Sequence, residues 1–259
     1  MTLCLIRGAG DIGSAIAHVL FRHGHRPVLL DDPAPNHPRR GMAFIDAVYD
    51  GAASLEGVLA KRVRDREDVP YMLNCTHAIP VLVQTLNGAL ALMTPDVLVD
   101  ARMRKRGTPE MQRGLARLTI GLGPNFVAGK HTDLAVETRW GDDLGRVIAA
   151  GSTKPLAGEP NPIEGIGRER YVYAPLSGRL ETGRNIGDTV AAGDVIGRLD
   201  AQLLVAPIAG CIRGLTRAGA RVERNDKIIE IDPRGDSSFA FGIGERPKRI
   251  AESVLAALD

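Results

Sequence analysis

The sequence predicts an α/β protein in two parts, a domain built on a parallel sheet and, after it, a small domain made of β-strands alone. Three observations carry this reading. An apolar run passes through a glycine-rich turn into an amphipathic helix at the start of the chain. Apolar strand candidates alternate with helical or irregular connections as far as residue 150. Beyond residue 170, short alternating segments recur at an offset of 32 residues.

The opening run Leu3-Cys4-Leu5-Ile6 leads into Gly8-Ala9-Gly10-Asp11-Ile12-Gly13 and then into the helical pattern Ser14 to Phe21. In such a unit Gly8 permits the tight turn, Gly10 lets a pyrophosphate approach the backbone, and Gly13 lets the helix pack closely on the strand. The first N–H groups of the helix, at Asp11 and Ile12, then face the anion. The next strand, Pro27–Leu30, ends in Asp31-Asp32, and Asp31 lies 18 residues beyond Gly13, where these folds place the acid that binds ribose hydroxyls. Strand, turn, helix, strand and acid arrive in the order of a Rossmann-like nucleotide-binding domain. A nucleotide is the expected ligand; the alternative is a turn whose glycines serve packing only.

Further strands are expected at Val28–Leu30, Tyr71–Leu73, Ile79–Val83, Val97–Val99 and Leu118–Gly121, and a helix over residues 11–23 with Gly24 as its stop. Near-continuous apolar runs bounded by Gly, Pro and Asp suit strands buried on both faces of a parallel sheet. After Val97–Val99 come Asp100, Arg102, Lys105 and Arg106; after Leu118–Gly121 comes a second glycine loop with Gly121 and Gly123. Ligands of open α/β sheets lie at the carboxyl ends of strands, so both segments are expected to edge the crevice of Gly8–Gly13.

Other pairs are weaker candidates. Arg39 and Arg40 could reach a phosphate on the ribose or on a pterin nucleotide, or line a solvated loop. His23 and His25 lack the acid or thiol neighbours of a metal site, and Cys75 with His77 lacks a third orienting group. No metal site is expected, and no residue stands out as a catalytic nucleophile.

The whole chain of 259 residues is 44% hydrophobic and 25% charged, with a formal charge of +2. Those values fit a globular protein and give no electrostatic case for nucleic acid as a partner. Three widely spaced cysteines, Cys4, Cys75 and Cys211, read as reduced thiols. The apolar runs are too short for a signal peptide or a bilayer span, so a cytoplasmic location with no membrane partner is expected.

Residues 1–150 form the first expected domain, 151–170 a linker or long loop rich in Pro and Gly, 171–234 the β domain, and 235–259 a tail with a C-terminal helix. Within the β domain Ala174-Pro175-Leu176-Ser177-Gly178 recurs as Ala206-Pro207-Ile208-Ala209-Gly210. The same offset pairs Gly187 with Gly219, Val190 with Val222, Asp194 with Asp226 and Asp200 with Asp232. Two such β units cannot bury their faces alone and are expected to close on each other. The pattern resembles the biotinyl/lipoyl-like barrel-sandwich hybrid domain. Its carriers hold a modified lysine where the halves join, but here the joint is Asp200-Ala201-Gln202-Leu203, which points to a docking or structural module.

The order of segments along nearly the whole chain resembles the YqeB family: Arg7-Gly-Ala-Gly-Asp-Ile12, Arg39-Arg40, Ala47-Val48-Tyr49, the strand and basic run from Pro95 to Arg106, the loop Ile120–Phe126, Leu144–Ile148 and the β domain. The resemblance implies an accessory protein of selenium-dependent molybdenum hydroxylase systems, with a molybdenum hydroxylase as client and a nucleotide-containing pterin as a possible ligand beside NAD(P). The chain departs from the family at Gly107, at Asn125 and at Gly141-Asp142-Asp143-Leu144-Gly145-Arg146, where a family histidine is missing. Two other functions remain open: a NAD(P)-dependent oxidoreductase of a small metabolite, and a non-catalytic nucleotide-sensing scaffold.

Overall fold

The computed structural model describes residues 1–74, 76–104, 107–156 and 158–258. The chain forms two compact units, Met1–Pro33 with Ala43–Ala157 and Ile243–Asp259, and Ala34–Met42 with Gly158–Gly242.

The first unit begins with β1 (Leu3–Arg7), α1 (Asp11–Arg22) and β2 (Arg26–Asp31). It continues through α2 (Ala47–Asp50), β3 (Ala52–Leu55), β4 (Val58–Arg62), α3 (Val69–Leu73), β5 (Ile79–Val83), α4 (Leu86–Leu90), β6 (Val97–Asp100) and β7 (Leu118–Leu122). Short strands β8 (Val127–Ala128), β9 (Leu134–Val136), β10 (Val147–Ile148) and β11 (Gly151–Ser152) follow, and α5 (Glu245–Ala256) completes the unit. Among the described residues the main sheet has nine strands in the order β10-β9-β7-β6-β1-β2-β5-β4-β3. Its pairings are parallel from β4 to β9, and only the edge pairs β3–β4 and β9–β10 are antiparallel.

Both faces of the central strands are dry. Cys4 and Ile6 of β1, Leu29 of β2, and Val97 and Val99 of β6 enter one core with α1 and α5. The alternate residues Leu3, Leu5, Val28, Leu30 and Leu98 enter a second core with Val69 and Ala89. Successive strand side chains point to opposite faces, so a sheet covered on both sides selects unbroken apolar runs.

Residues 71–73, expected as a strand, are the end of helix α3. Three apolar residues carry too little periodicity to tell the two apart, and Pro70 fits the first helical turn, where no N–H is required. Gly151 and Ser152, at the start of the Pro/Gly-rich stretch, pair antiparallel with Ala128 and Val127. No helix among the described residues is long and apolar enough to cross a membrane.

The second unit contains β12 (Tyr171–Tyr173), β13 (Gly178–Glu181), β14 (Thr189–Val190), β15 (Val195–Leu199), β16 (Gln202–Val205), β17 (Gly210–Leu215), β18 (Arg221–Val222) and β19 (Lys227–Asp232). They make two antiparallel four-stranded sheets, β12-β19-β17-β14 and β16-β15-β13-β18. The 32-residue offset carries β13 onto β17, β14 onto β18 and β15 onto β19, so each sheet mixes strands of both repeats. Hydrogen bonds obey the same symmetry. Ala174 N–H donates to the Asp226 carbonyl as Ala206 N–H donates to that of Asp194, and Gly187 N–H to Ile212 as Gly219 N–H to Leu180. A shared core of Leu180, Ile196, Leu199, Ile212, Ile228 and Ile231 lies between the sheets.

The same unit buries two carboxylates on β19. Glu230 accepts a bidentate pair from Arg39, at 2.8 and 2.9 Å, and has Lys227 at 3.2 Å and Arg170 at 3.6 Å. Asp232 is held by Arg234, with Arg213 at 3.5 Å.

Candidate functional site

The strand order reverses beside β1: β2 lies on one side, reached through α1, and β6 on the other, reached only after β5. The strand-order reversal is the usual ligand position of an open α/β sheet, and here the loops at the carboxyl ends of β1 and β6 leave the sheet side by side.

The turn after β1 has the predicted close geometry. Gly8 has φ +105°, and a Cβ there would lie 3.2 Å from the backbone of Ala101 and Arg102, so the two loops touch where both leave the sheet. A Cβ on Gly13 would stand 1.9 Å from the Gly8 carbonyl oxygen, which fixes α1 against the turn. Gly10 is the N-cap, in extended conformation, and its carbonyl accepts from Ser14 N–H at 2.8 Å. The Ser14 hydroxyl donates to Ala9 O and accepts from Phe44 N–H, so the turn is braced from beneath.

Carboxylates of the chain itself meet these donors. Asp31 Oδ2 accepts from Ala9 N–H at 2.6 Å and its Oδ1 from Asp32 N–H at 2.8 Å. Burial raises the Asp31 pKa against the opposing pull of those two bonds. Asp32 is exposed at the strand end. Asp11, in the first turn of α1, accepts from Ile12 N–H at 3.0 Å. An acid at a helix N-terminus is favoured by the peptide dipoles.

The loop after β6 repeats the arrangement with arginines. Asp100, 3% exposed, accepts from Arg102 Nε at 2.9 Å and Nη2 at 2.5 Å and from Gln112 Nε2 at 2.6 Å, with Arg7 Nη1 at 3.5 Å. Burial alone would raise its pKa; the hydrogen bond and charge of Arg102, with Arg7 and Gln112, bring it below the ordinary value. Glu110 receives Arg7 at 2.8 Å, Arg102 at 3.1 Å and Arg104 at 2.8 Å. Chiefly through the Arg102 hydrogen bond, its pKa falls to about 2.

The candidates at the end of β7 sit differently. A Cβ on Gly121 would fall 2.0 Å from the Phe126 ring, so the bare backbone admits that ring and not a ligand. Gly123, at φ +98°, would bring a Cβ to 3.1 Å from Met103 Sδ, placing the second glycine loop against the loop after β6.

Thus Gly8, Gly10, Asp11, Ile12, Gly13 and Asp31 meet at the end of β1, with Asp100 and Arg102 beside them. Lys105, Arg106 and Cys75 lie outside the described residues. Arg39, expected near a ribose phosphate, is committed to Glu230 in the second unit. His23 Nδ1 lies 2.8 Å from the Val19 carbonyl at the helix end, which accepts from it. No group of three His, Cys, Asp or Glu among the described residues could hold a metal ion. Sequence reading missed Arg7, Glu110 and Gln112. The signal at Arg7 was available: a charge closing the apolar strand Leu3–Ile6 becomes buried and needs a carboxylate partner. Nothing in the local sequence marked Glu110 as that partner, 103 residues away.

Fold and site together define an α/β protein with a parallel-rich sheet whose strand order reverses beside β1. Its sequence is similar to the uncharacterized protein YqeB of Escherichia coli (strain K12), at 35% identity over 256 residues, which is 99% of this chain and 47% of that protein. The chain spans about half the length of that curated relative. No protein-family model matches the chain. Among solved structures, the apo ectoine utilization protein EutE (DoeB) from Ruegeria pomeroyi aligns at a TM-score of 0.27 and 12% identity, covering 89% of this chain and 86% of that one. A succinylglutamate desuccinylase/aspartoacylase from Rhodobacter sphaeroides aligns at 0.23 and 18% identity, covering 55% and 59%. Likenesses of that size define neither a shared fold nor a shared chemistry.

Proposed function

We propose that the chain is a cytoplasmic accessory protein of the YqeB kind that binds a nucleotide, or a nucleotide-containing pterin, for maturation of a molybdenum hydroxylase. The observation that carries the nucleotide reading is the meeting of the Gly8–Gly13 turn and Asp31 at the strand-order reversal, beside the arginine loop after β6. The client is inferred from the similarity to YqeB and the resemblance of motifs.

The residues fit such a ligand in their chemistry. Gly8 and Gly13 let the turn close on the loop after β6 and on α1, Gly10 adds no side chain at the start of the helix, Asp31 retains acceptor capacity for a ribose hydroxyl, and Arg102 supplies a cation for anionic oxygens. A pterin nucleotide, when bound, would supply the redox-active metal dithiolene group that a hydroxylase needs; this chain's residues would hold its phosphates and sugar. Asp100 is too buried to meet a ligand and serves as the anchor that orients Arg102. The second unit is read as a barrel-sandwich module for docking. Its β15–β16 hairpin turns at Asp200-Ala201, without a carrier lysine, and exposes Val195, Leu203 and Val205.

Gly10→Val should preserve the fold and abolish the thermal stabilisation that NAD(P), ADP or a pterin nucleotide gives the wild-type protein. A wild-type protein that none of these stabilises would return the glycines to a packing role. Deletion of the gene should leave a molybdenum hydroxylase of the same cell made but inactive. Full hydroxylase activity in that strain, with turnover of NADH by the purified chain, would instead establish the oxidoreductase reading.

A further inference from the structure

The arginines beside the glycine turn converge on one exposed carboxylate. Arg7, Arg102 and Arg104 each bring a guanidinium nitrogen within 3.1 Å of Glu110, whose side chain remains 44% exposed. The two inner arginines are fixed. Arg7 is 9% exposed and Arg102 17%, and both are oriented from below by buried Asp100. A built, partly dehydrated guanidinium cup of this kind suits an oxyanion with several acceptors better than a single carboxylate, because phosphate brings a larger charge and a tetrahedral set of oxygens.

Glu110 is carried differently from the arginines that it meets. Among the described residues no helix or strand lies between β6 and β7, and residues 102–104 and 107–111 make no backbone–backbone hydrogen bond. At Gln112 the backbone is tied to the next part of the unit, its N–H donating to the His131 carbonyl. Withdrawal of Glu110 from the arginines would break side-chain bonds alone. Beside the cup, Gln112 is 1% exposed and donates to Asp100, while its Oε1 is buried without a hydrogen-bond partner among the described residues. An unmatched buried acceptor calls for a donor, such as water or a sugar hydroxyl beside the phosphate, and not for a phosphate oxygen.

We propose that Arg7, Arg102 and Arg104 form a phosphate seat and that Glu110 is its internal stopper, which a phosphate of the ligand displaces on entry. This rests on the nucleotide reading of the same site and names the group recognised there. The stopper gives selectivity: a monoanion gains little by replacing one carboxylate with another, whereas a pyrophosphate gains both charge and oxygens. It also spares the ligand-binding arginines from facing one another without a counter-charge.

The test is calorimetric titration of the full chain with inorganic pyrophosphate, and separately with NAD, ADP and a pterin nucleotide. Glu110→Gln should bind pyrophosphate at least about tenfold more tightly than wild type, a factor readily resolved by titration. Arg104→Met on that background should reduce the gain in part, since Arg104 is 61% exposed while Arg7 and Arg102 remain in the cup. Glu110→Ala provides a second route should the glutamine variant fold poorly. Unchanged or weaker pyrophosphate binding in folded Glu110 variants would overturn the seat and leave Glu110 a structural clamp. If wild type binds NAD or ADP and the Glu110 variants bind them no better, the nucleotide reading survives and the seat fails. Tight pyrophosphate binding by Glu110→Gln with no binding of NAD, ADP or a pterin nucleotide would keep the seat and remove the nucleotide reading.

Discussion

Each unit of this protein gathers arginines around carboxylates, and the two gatherings are built for different purposes. In the second unit Glu230 is wholly buried on a strand, paired on both sides by β12 and β17, and Arg39 grips it with two bonds. In the first unit Glu110 is 44% exposed, between β6 and β7, where no helix or strand lies among the described residues. Glu230 cannot leave without dismantling a sheet; Glu110 can. Burial and backbone anchoring, rather than the number of ion pairs, therefore separate a structural cation cluster from one able to exchange its anion.

The sharpest way to break this comparison is to remove both charges in turn. Glu230→Gln leaves Arg39, Arg170 and Lys227 around a neutral amide in a dry site, and losing one partner of a buried ion pair costs about 3–5 kcal/mol. Urea denaturation of the variant should reveal that loss. A change below about 1 kcal/mol, the scale of an exposed pair, would erase the distinction drawn between the clusters.

Gly13→Ala comes next. Its new methyl would lie 1.9 Å from the Gly8 carbonyl oxygen, and accommodation requires α1 or the turn to move. Overpacking of that kind costs about 1–3 kcal/mol. Nucleotide-induced stabilisation should disappear with it, whereas the second unit's denaturation should be unaffected.

The pH dependence sharpens the comparison within the first unit. Glu110 has its pKa depressed from 4.5 to about 2, so its contribution to stability is present above about 4.5 and is lost as pH falls toward 2. Asp100 is lowered too and loses its contribution in the same direction. Stability measured across that window should fall less steeply in Glu110→Gln than in wild type. An identical slope would show that the Glu110 ion pairs do not form in solution.

The smallest effect is expected at Arg104, whose side chain is 61% exposed. Arg104→Met should change stability by less than about 1 kcal/mol, as for most exposed pairs. A larger loss in chemical denaturation would make the arginine cup a structural element like that of the second unit.

Local chemistry accounts for what the sequence made readable. The Gly8–Gly13 turn, the apolar strands and the 32-residue repeat each consist of neighbours whose conformational needs are local: φ above zero at Gly8, alternation along a strand, identical turns in two copies. Asp31 was found because its distance from the turn follows from the length of one helix and one strand. Tyr71–Leu73 was misread because a proline-started single turn and a short apolar strand look alike over three residues.

By itself, then, the sequence determined the α/β class, the glycine turn with its acid, and the paired β repeats. Only the tertiary structure decided which charges answer one another. Glu110 meets Arg7 from 103 residues away, Arg39 meets Glu230 across 191, and Phe126 folds back onto Gly121. Ion pairs and ring contacts carry no periodicity along the chain; strand order brings them together, and desolvation then selects which opposite charges must pair.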